Sequence, residues 1–188
     1  MSHASIIAGP PAIPAIPTTY RGVLMRSRLE AKWAAFYDLV QWRWAYEPID
    51  LNGYIPDFVL EFHRPMLVDI KPSLELTALA ERAHALAATI QWKGELITSG
   101  ALLMDMDDTL PCAGRLVERY DQTLSVGLAI IFRCLSCNGI SIRSHDGSWR
   151  CRLCDAYEGN GHVGEIDCAE IQQLWADAGN RVQWKAPR

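Results

Sequence analysis

The amino-acid sequence predicts an α/β fold: a mixed β-sheet flanked by helices, with a small metal-stapled β-hairpin added to it. Three observations lead there. Leu29, Trp33, Phe36, Tyr37 and Val40 recur at helical spacing. Residues 54–62 and 66–71 alternate apolar and polar side chains on either side of a short turn, His63-Arg64-Pro65. Two Cys-x-x-Cys pairs, Cys134 with Cys137 and Cys151 with Cys154, stand thirteen residues apart.

A chain of 188 residues, 49% hydrophobic and 21% charged, can bury one real core with a small appended module. No apolar run approaches the roughly 20 residues that span a bilayer, and no basic segment leads into an apolar one at the N-terminus. A cytoplasmic protein without a membrane partner is therefore expected. A net charge of −4 does not advertise a nucleic-acid partner, yet it is compatible with one if an acidic site sits beside a local basic surface. In a cytoplasmic chain the paired cysteines read as zinc ligands and not as disulfides. The other two, Cys112 and Cys168, read as small buried side chains.

The elements follow in order. Residues 1–19 are rich in Pro, Ala and Ile; proline at that density blocks helix and favours an extended tail, while the isoleucines suit an arm on a partner subunit. Residues 27–40 form a helix, and Ser27-Arg28-Leu29-Glu30 fits a capping box that would engage Glu30. Residues 42–47 are an aromatic-rich strand. In 54–62, Phe58, Leu60 and Phe62 share one face, with Asp57, Val59 and Glu61 on the other. In 66–71, Val68 and Ile70 oppose Asp69 and Lys71, and Pro72 ends the regular pairing. Residues 76–91 read as a helix, 95–104 as a buried strand, 115–120 as a helix and 124–132 as a strand. A last helix covers 169–178, with Gly179-Asn180 as its stop signal. Between the cysteine pairs, Ile140 and Ile142 precede an Asp146-Gly147 turn and Trp149 follows it, which reads as a β-hairpin.

The hairpin at His63-Arg64-Pro65 brings chemistry together. Asp69 and Lys71 project from one face of their strand, and the preceding strand carries Asp57 back beside them. Two carboxylates suit a hard divalent cation such as Mg²⁺ or Mn²⁺, and the lysine can orient a water or stabilise charge on a phosphate. At Pro56-Asp57, Asp69-Ile70-Lys71 and the helix residue Glu30, the chain resembles the PD-(D/E)xK nuclease superfamily, most of all TnsA-type and phage junction-resolving endonucleases. Asp replaces the more frequent Glu at position 69. The resemblance spans roughly residues 20–105. It implies a restriction-endonuclease-like core and Mg²⁺- or Mn²⁺-dependent hydrolysis of DNA. Asp57, Asp69 and the Ile70 carbonyl would hold the metal, Glu30 a second metal or its water, and Lys71 the attacking water. The implied organisation is a tail or arm over 1–19, a nuclease core over 20–132, a zinc ribbon over 133–155 and a C-terminal helix completing the core over 156–188.

The cysteine spacing resembles a zinc ribbon, whose closed Cys₄ site is structural. Arg133, Arg143, Arg150 and Arg152 surround it, with Asp146 opposing them. They either neutralise the thiolate cluster or contact phosphates, with Arg143 and Arg150 as the candidates for DNA. A strand followed by Asp105-Met106-Asp107-Asp108-Thr109 resembles the first motif of haloacid-dehalogenase-type phosphatases. That fold requires a downstream lysine and acidic pair where the ribbon stands, so the segment reads as an acidic loop. His63 reads as a loop residue near the turn. The expected protein is a metal-dependent DNA endonuclease, alone, as a homodimer or with a partner protein. The alternative is a non-catalytic protein that binds nucleic acid or a partner with the same fold and ribbon.

Overall fold

The computed structural model describes residues 15–104, 110–120, 123–145, 150–157, 164 and 166–183. The chain enters through a hairpin, β1 (Thr18–Tyr20) and β2 (Val23–Met25), so the end of the Pro-rich segment is a strand. Arg21 and Gly22 join them at φ 47° and 81°. Two successive left-handed residues match the twist of a hairpin, a turn the Arg-Gly pair does not announce.

The helix α1 (Arg28–Leu39) starts at Ser27, whose Oγ accepts the Glu30 N–H at 3.1 Å. Three strands follow: β3 (Trp44–Tyr46), β4 (Phe58–Leu60) and β5 (Met66–Ile70). Each is shorter than its alternating sequence. β4 pairs antiparallel with β3 and β5, setting Phe58 opposite Val68. The helix α2 (Leu76–Thr89) then crosses over to β6 (Glu95–Ser99), which runs parallel to β5. The strand expected over 95–104 breaks at Gly100, whose carbonyl accepts the Trp33 indole N–H at 2.7 Å. It resumes as β7 (Leu103–Met104), paired with β8 (Pro111–Tyr120).

β8 corrects the helix expected over 115–120. It lies between β6 and β9 (Thr123–Arg133), and both Leu116 and Val117 are buried, one on each face. A strand covered on both sides loses its alternation and cannot be told from a helix by period. Gly114, at φ 138°, sits in an irregularity of this pairing, where a Cβ would lie 2.1 Å from the Thr98 carbonyl oxygen. β10 (Ile140–Ser144) pairs with β9, so the segment expected as one arm of a free hairpin extends the main sheet. The turn and Trp149 lie outside the described residues. The sheet has eight strands in the order β10-β9-β8-β6-β5-β4-β3, with β7 on β8.

Alternation sorts the core. Phe58, Met66, Val68, Ile70, Ile97 and Leu116 face α1 and the last helix, α3 (Cys168–Arg181). Leu67, Leu96 and Val117 face α2 with Ala83, Leu86 and Ala87 packed around them. α1 meets α3 through Trp33 and Trp175, with ring centroids 4.7 Å apart. α3 runs through Gly179 and Asn180 where a stop was expected. Gly179 lies against Lys32, and a Cβ there would come within 3.3 Å of its Cε and Nζ, so this glycine serves close helix packing. Cys112 is buried as expected, whereas Cys168 is only partly buried. Among the described residues no helix is long and apolar enough to cross a membrane.

Candidate active site and metal centre

The two-residue period that buries Leu67 on the α2 side also carries Asp69 and Lys71 to that side, at the C-terminal end of β5. Asp57 lies just before β4, where the β4–β5 ladder ends. Its Oδ2 accepts the Ile70 N–H, replacing a ladder bond that the backbone no longer supplies. Lys71 Nζ lies 3.1 Å from Asp69 Oδ1 and donates to the Ile70 carbonyl at 3.2 Å. Asp57, Asp69, Lys71 and the Ile70 carbonyl thus meet at one spot, as their spacing predicts.

Glu30 adds its charge from the start of α1 and forms half of the expected capping box: Ser27 Oγ caps its N–H, but its carboxylate reaches the Arg26 N–H in place of the Ser27 N–H. Its Oε1 accepts from Ser27 Oγ at 2.8 Å, and its Oε2 from the Arg26 N–H at 3.1 Å and the Tyr46 hydroxyl at 2.7 Å. Burial and the bond to Glu30 push the Tyr46 hydroxyl up to about 12, so it stays a donor. Burial also pushes the Asp57 carboxyl up to about 6. The Ile70 N–H and the charge of Lys71 pull it down, while Glu30 and Asp69 add to the rise. The Arg26 guanidinium touches Asp57 but is 60% exposed. Solvent weakens its pull, and burial of the carboxyl prevails.

Four neighbours were not legible as site residues. Arg26 bridges Asp57 and Glu47. Tyr54 donates to Asp69 Oδ1 at 3.2 Å, and burial first, then the Asp69 charge, raises its hydroxyl far above the usual range. Arg82 on α2 grips Asp69 with two bonds, Nε to Oδ2 at 3.0 Å and Nη2 to Oδ1 at 3.2 Å. Tyr46 is the fourth. Only Arg82 leaves a trace in the sequence, as a charge among Leu79, Ala83 and Leu86 on the buried stripe of α2.

The second centre is the cysteine cluster. The four Sγ atoms lie within 4.8 Å of one another, with Cys134 to Cys154 at 3.8 Å and Cys137 to Cys151 at 3.9 Å. The edge of a tetrahedron of thiolates around zinc is about 3.8 Å. The two turns repeat one design. Asn138 N–H bonds the Cys134 carbonyl at 2.8 Å, and Asp155 N–H bonds the Cys151 carbonyl at 3.0 Å. Asn138 and Asp155 take φ 58° and 59°, a left-handed turn that Asn and Asp tolerate. These four thiols can hold a structural metal such as zinc.

Two of the arginines near this cluster meet carboxylates from other elements of the fold. Arg133 pairs with Glu170, and Arg152 pairs with Glu95 and Glu118 at 2.8 Å each. Arg143 is buried and donates to the Ser144 and His145 carbonyls. Arg150 is partly exposed and contacts Asp155. His63 faces this module and not the carboxylates: its N–H bonds the Arg152 carbonyl at 2.9 Å, and Asp155 is 3.5 Å from its ring. The Asp105–Thr109 segment lies outside the described residues. No family model, no curated protein and no solved structure matches this chain.

Proposed function

We propose that this chain is a metal-dependent DNA endonuclease of the PD-(D/E)xK type, stapled by a zinc-bound Cys₄ ribbon. The observation that carries the reading is the meeting of Asp57, Asp69, Lys71 and the Ile70 carbonyl at the end of β5. The donor set fits Mg²⁺ or Mn²⁺, because every available ligand atom is an oxygen and two come from buried carboxylates. Asp57, Asp69 and the Ile70 carbonyl would hold the cation, and Glu30 a second cation or its water. The cation, when bound, supplies a Lewis acid for the phosphate and for the attacking water. Lys71 orients that water with an N–H not spent on Asp69 or Ile70, and it offsets the charge that builds on the phosphate. Water adds to phosphorus and one P–O ester bond breaks. Zinc in the ribbon has no position open to substrate, so its work is to hold the fold.

One observation favours a second reading, a non-catalytic binder of nucleic acid or a partner protein: Arg26 and Arg82 already satisfy Asp57 and Asp69 without any metal. Incubation of purified protein with labelled duplex, single-stranded and branched DNA separates the two. The nuclease cuts at least one of them with Mg²⁺ or Mn²⁺ and none when free divalent cations are withheld. Binding without cutting under every metal condition selects the second reading.

A further inference from the structure

Three cations face three carboxylates at the end of β5. Glu30, Asp57 and Asp69 are buried, and Arg26, Lys71 and Arg82 lie around them. The two sets differ sharply in exposure. The Asp57 and Asp69 side chains are 4% and 3% exposed, whereas those of Arg26 and Arg82 are 60% and 39% exposed. The guanidinium groups therefore form the outer lid of the carboxylates, in the direction from which a cation or a phosphate must come. Asp69 is covered four ways, by both bonds of Arg82, by Lys71 and by the Tyr54 hydroxyl.

We propose that Arg26 and Arg82 are exchangeable phosphate-binding residues: they pair with Asp57 and Asp69 when no divalent cation is bound, and turn to phosphates of DNA when one is. The inference rests on the nuclease reading above and adds a regulation to it. Three physical points support it. The guanidinium fork fits a carboxylate and a phosphate with the same bidentate geometry, so an exchange of partner needs no new stereochemistry. The pair of Arg26, 60% exposed, contributes little, so its release is cheap; the two bonds of Arg82 cost more to break, and a buried carboxylate left uncovered must be answered by another cation. Finally, the chain carries a net charge of −4, and bare acids at the site would repel a polyanion. Arginines freed at the moment the carboxylates are neutralised reverse the local charge. Metal and DNA then strengthen each other's binding, by the same factor in both directions.

The test measures two affinities that must move in opposite directions. Ca²⁺ is titrated calorimetrically into wild type, Arg26→Gln, Arg82→Gln and the double variant, each with its zinc retained. Binding of labelled DNA is followed by anisotropy with and without Ca²⁺, and gels verify that the probe stays intact. Without a competitor for the carboxylates, each variant should bind Ca²⁺ about 3–10-fold tighter than wild type. Each should bind DNA in Ca²⁺ about 10-fold more weakly, a typical loss for one charge-assisted contact. Wild type should gain DNA affinity on addition of Ca²⁺, and the double variant should lose most of that gain. Thermal unfolding checks the variants. Arg82→Lys, which covers Asp69 with a single ammonium, serves if the glutamine variant is unfolded and should show both effects in reduced form. Calcium affinity that is unchanged or weaker in folded variants overturns the proposal, as does unaltered DNA affinity, while wild type still binding metal and cutting DNA keeps the nuclease reading. Absence of any divalent-cation binding in wild type overturns both.

Discussion

Asp57 is a carboxyl that the protein would rather keep protonated, because burial outweighs the cations near it. An acid with a raised value contributes its full stability below the unfolded value of 3.8 and loses it as pH rises through about 6. In magnesium-free buffer that leaves the ribbon metal bound, Asp57→Asn should therefore be more stable than wild type at pH 8, by about 1–2 kcal/mol, and the difference should vanish near pH 3.5. Denaturant melts at the two pH values measure it, and a less stable variant at pH 8 would contradict the direction. Glu30 makes a second residue-scale prediction. In Glu30→Gln the carbonyl can accept from the Arg26 N–H and Tyr46 while the amide donates to Ser27 Oγ, so the bonds at the helix start survive. Stability should change by less than about 1 kcal/mol, while cleavage falls with the lost negative charge. Unchanged cleavage would leave Glu30 with the helix cap alone.

At the scale of elements, the second knuckle is tied to the sheet by a buried charge. Arg152 follows Cys151 and reaches Glu95 at the start of β6 and Glu118 on β8, where the Glu118 side chain is 4% exposed. Arg152→Met removes the guanidinium that Glu95 and Glu118 share and should cost about 3–5 kcal/mol, more than a hairpin module loosely hung on the core would transmit. Calorimetry or denaturant unfolding reads the loss; a change below about 1 kcal/mol would mean that ribbon and sheet are energetically separate. Cys134→Ser should release the ribbon metal and expose the backbone amides of the two knuckles, residues 134–139 and 151–155, to hydrogen exchange, since two short turns bury too little apolar surface to hold themselves. Elemental analysis finding no metal in wild type would contradict this.

Across the whole molecule, what was legible in the sequence is what repeats with a short period or fixed spacing. Asp57, Asp69 and Lys71 could be placed together because strand alternation and one hairpin turn set their faces. The Cys₄ cluster followed from two tight turns. β8 was misread because a strand covered on both faces shows no alternation, and the course of α3 because Gly179 serves packing against Lys32 rather than a helix end. Arg26, Tyr46, Tyr54 and Arg82 reach the site from four different segments. No local pattern encodes a contact such as that between Asp69 and Arg82, thirteen residues on and across a crossover. The central claim is that the end of β5 cuts DNA through Asp57, Asp69 and Lys71. It is tested most directly by the cleavage rate, in Mn²⁺, of wild type beside Lys71→Ala purified identically and shown to be folded. The account predicts cutting by wild type and a loss of about 100-fold or more in the variant, the scale of a group that positions or activates the attacking water. Equal rates in the two preparations, or no cutting by wild type on any DNA form, would contradict it.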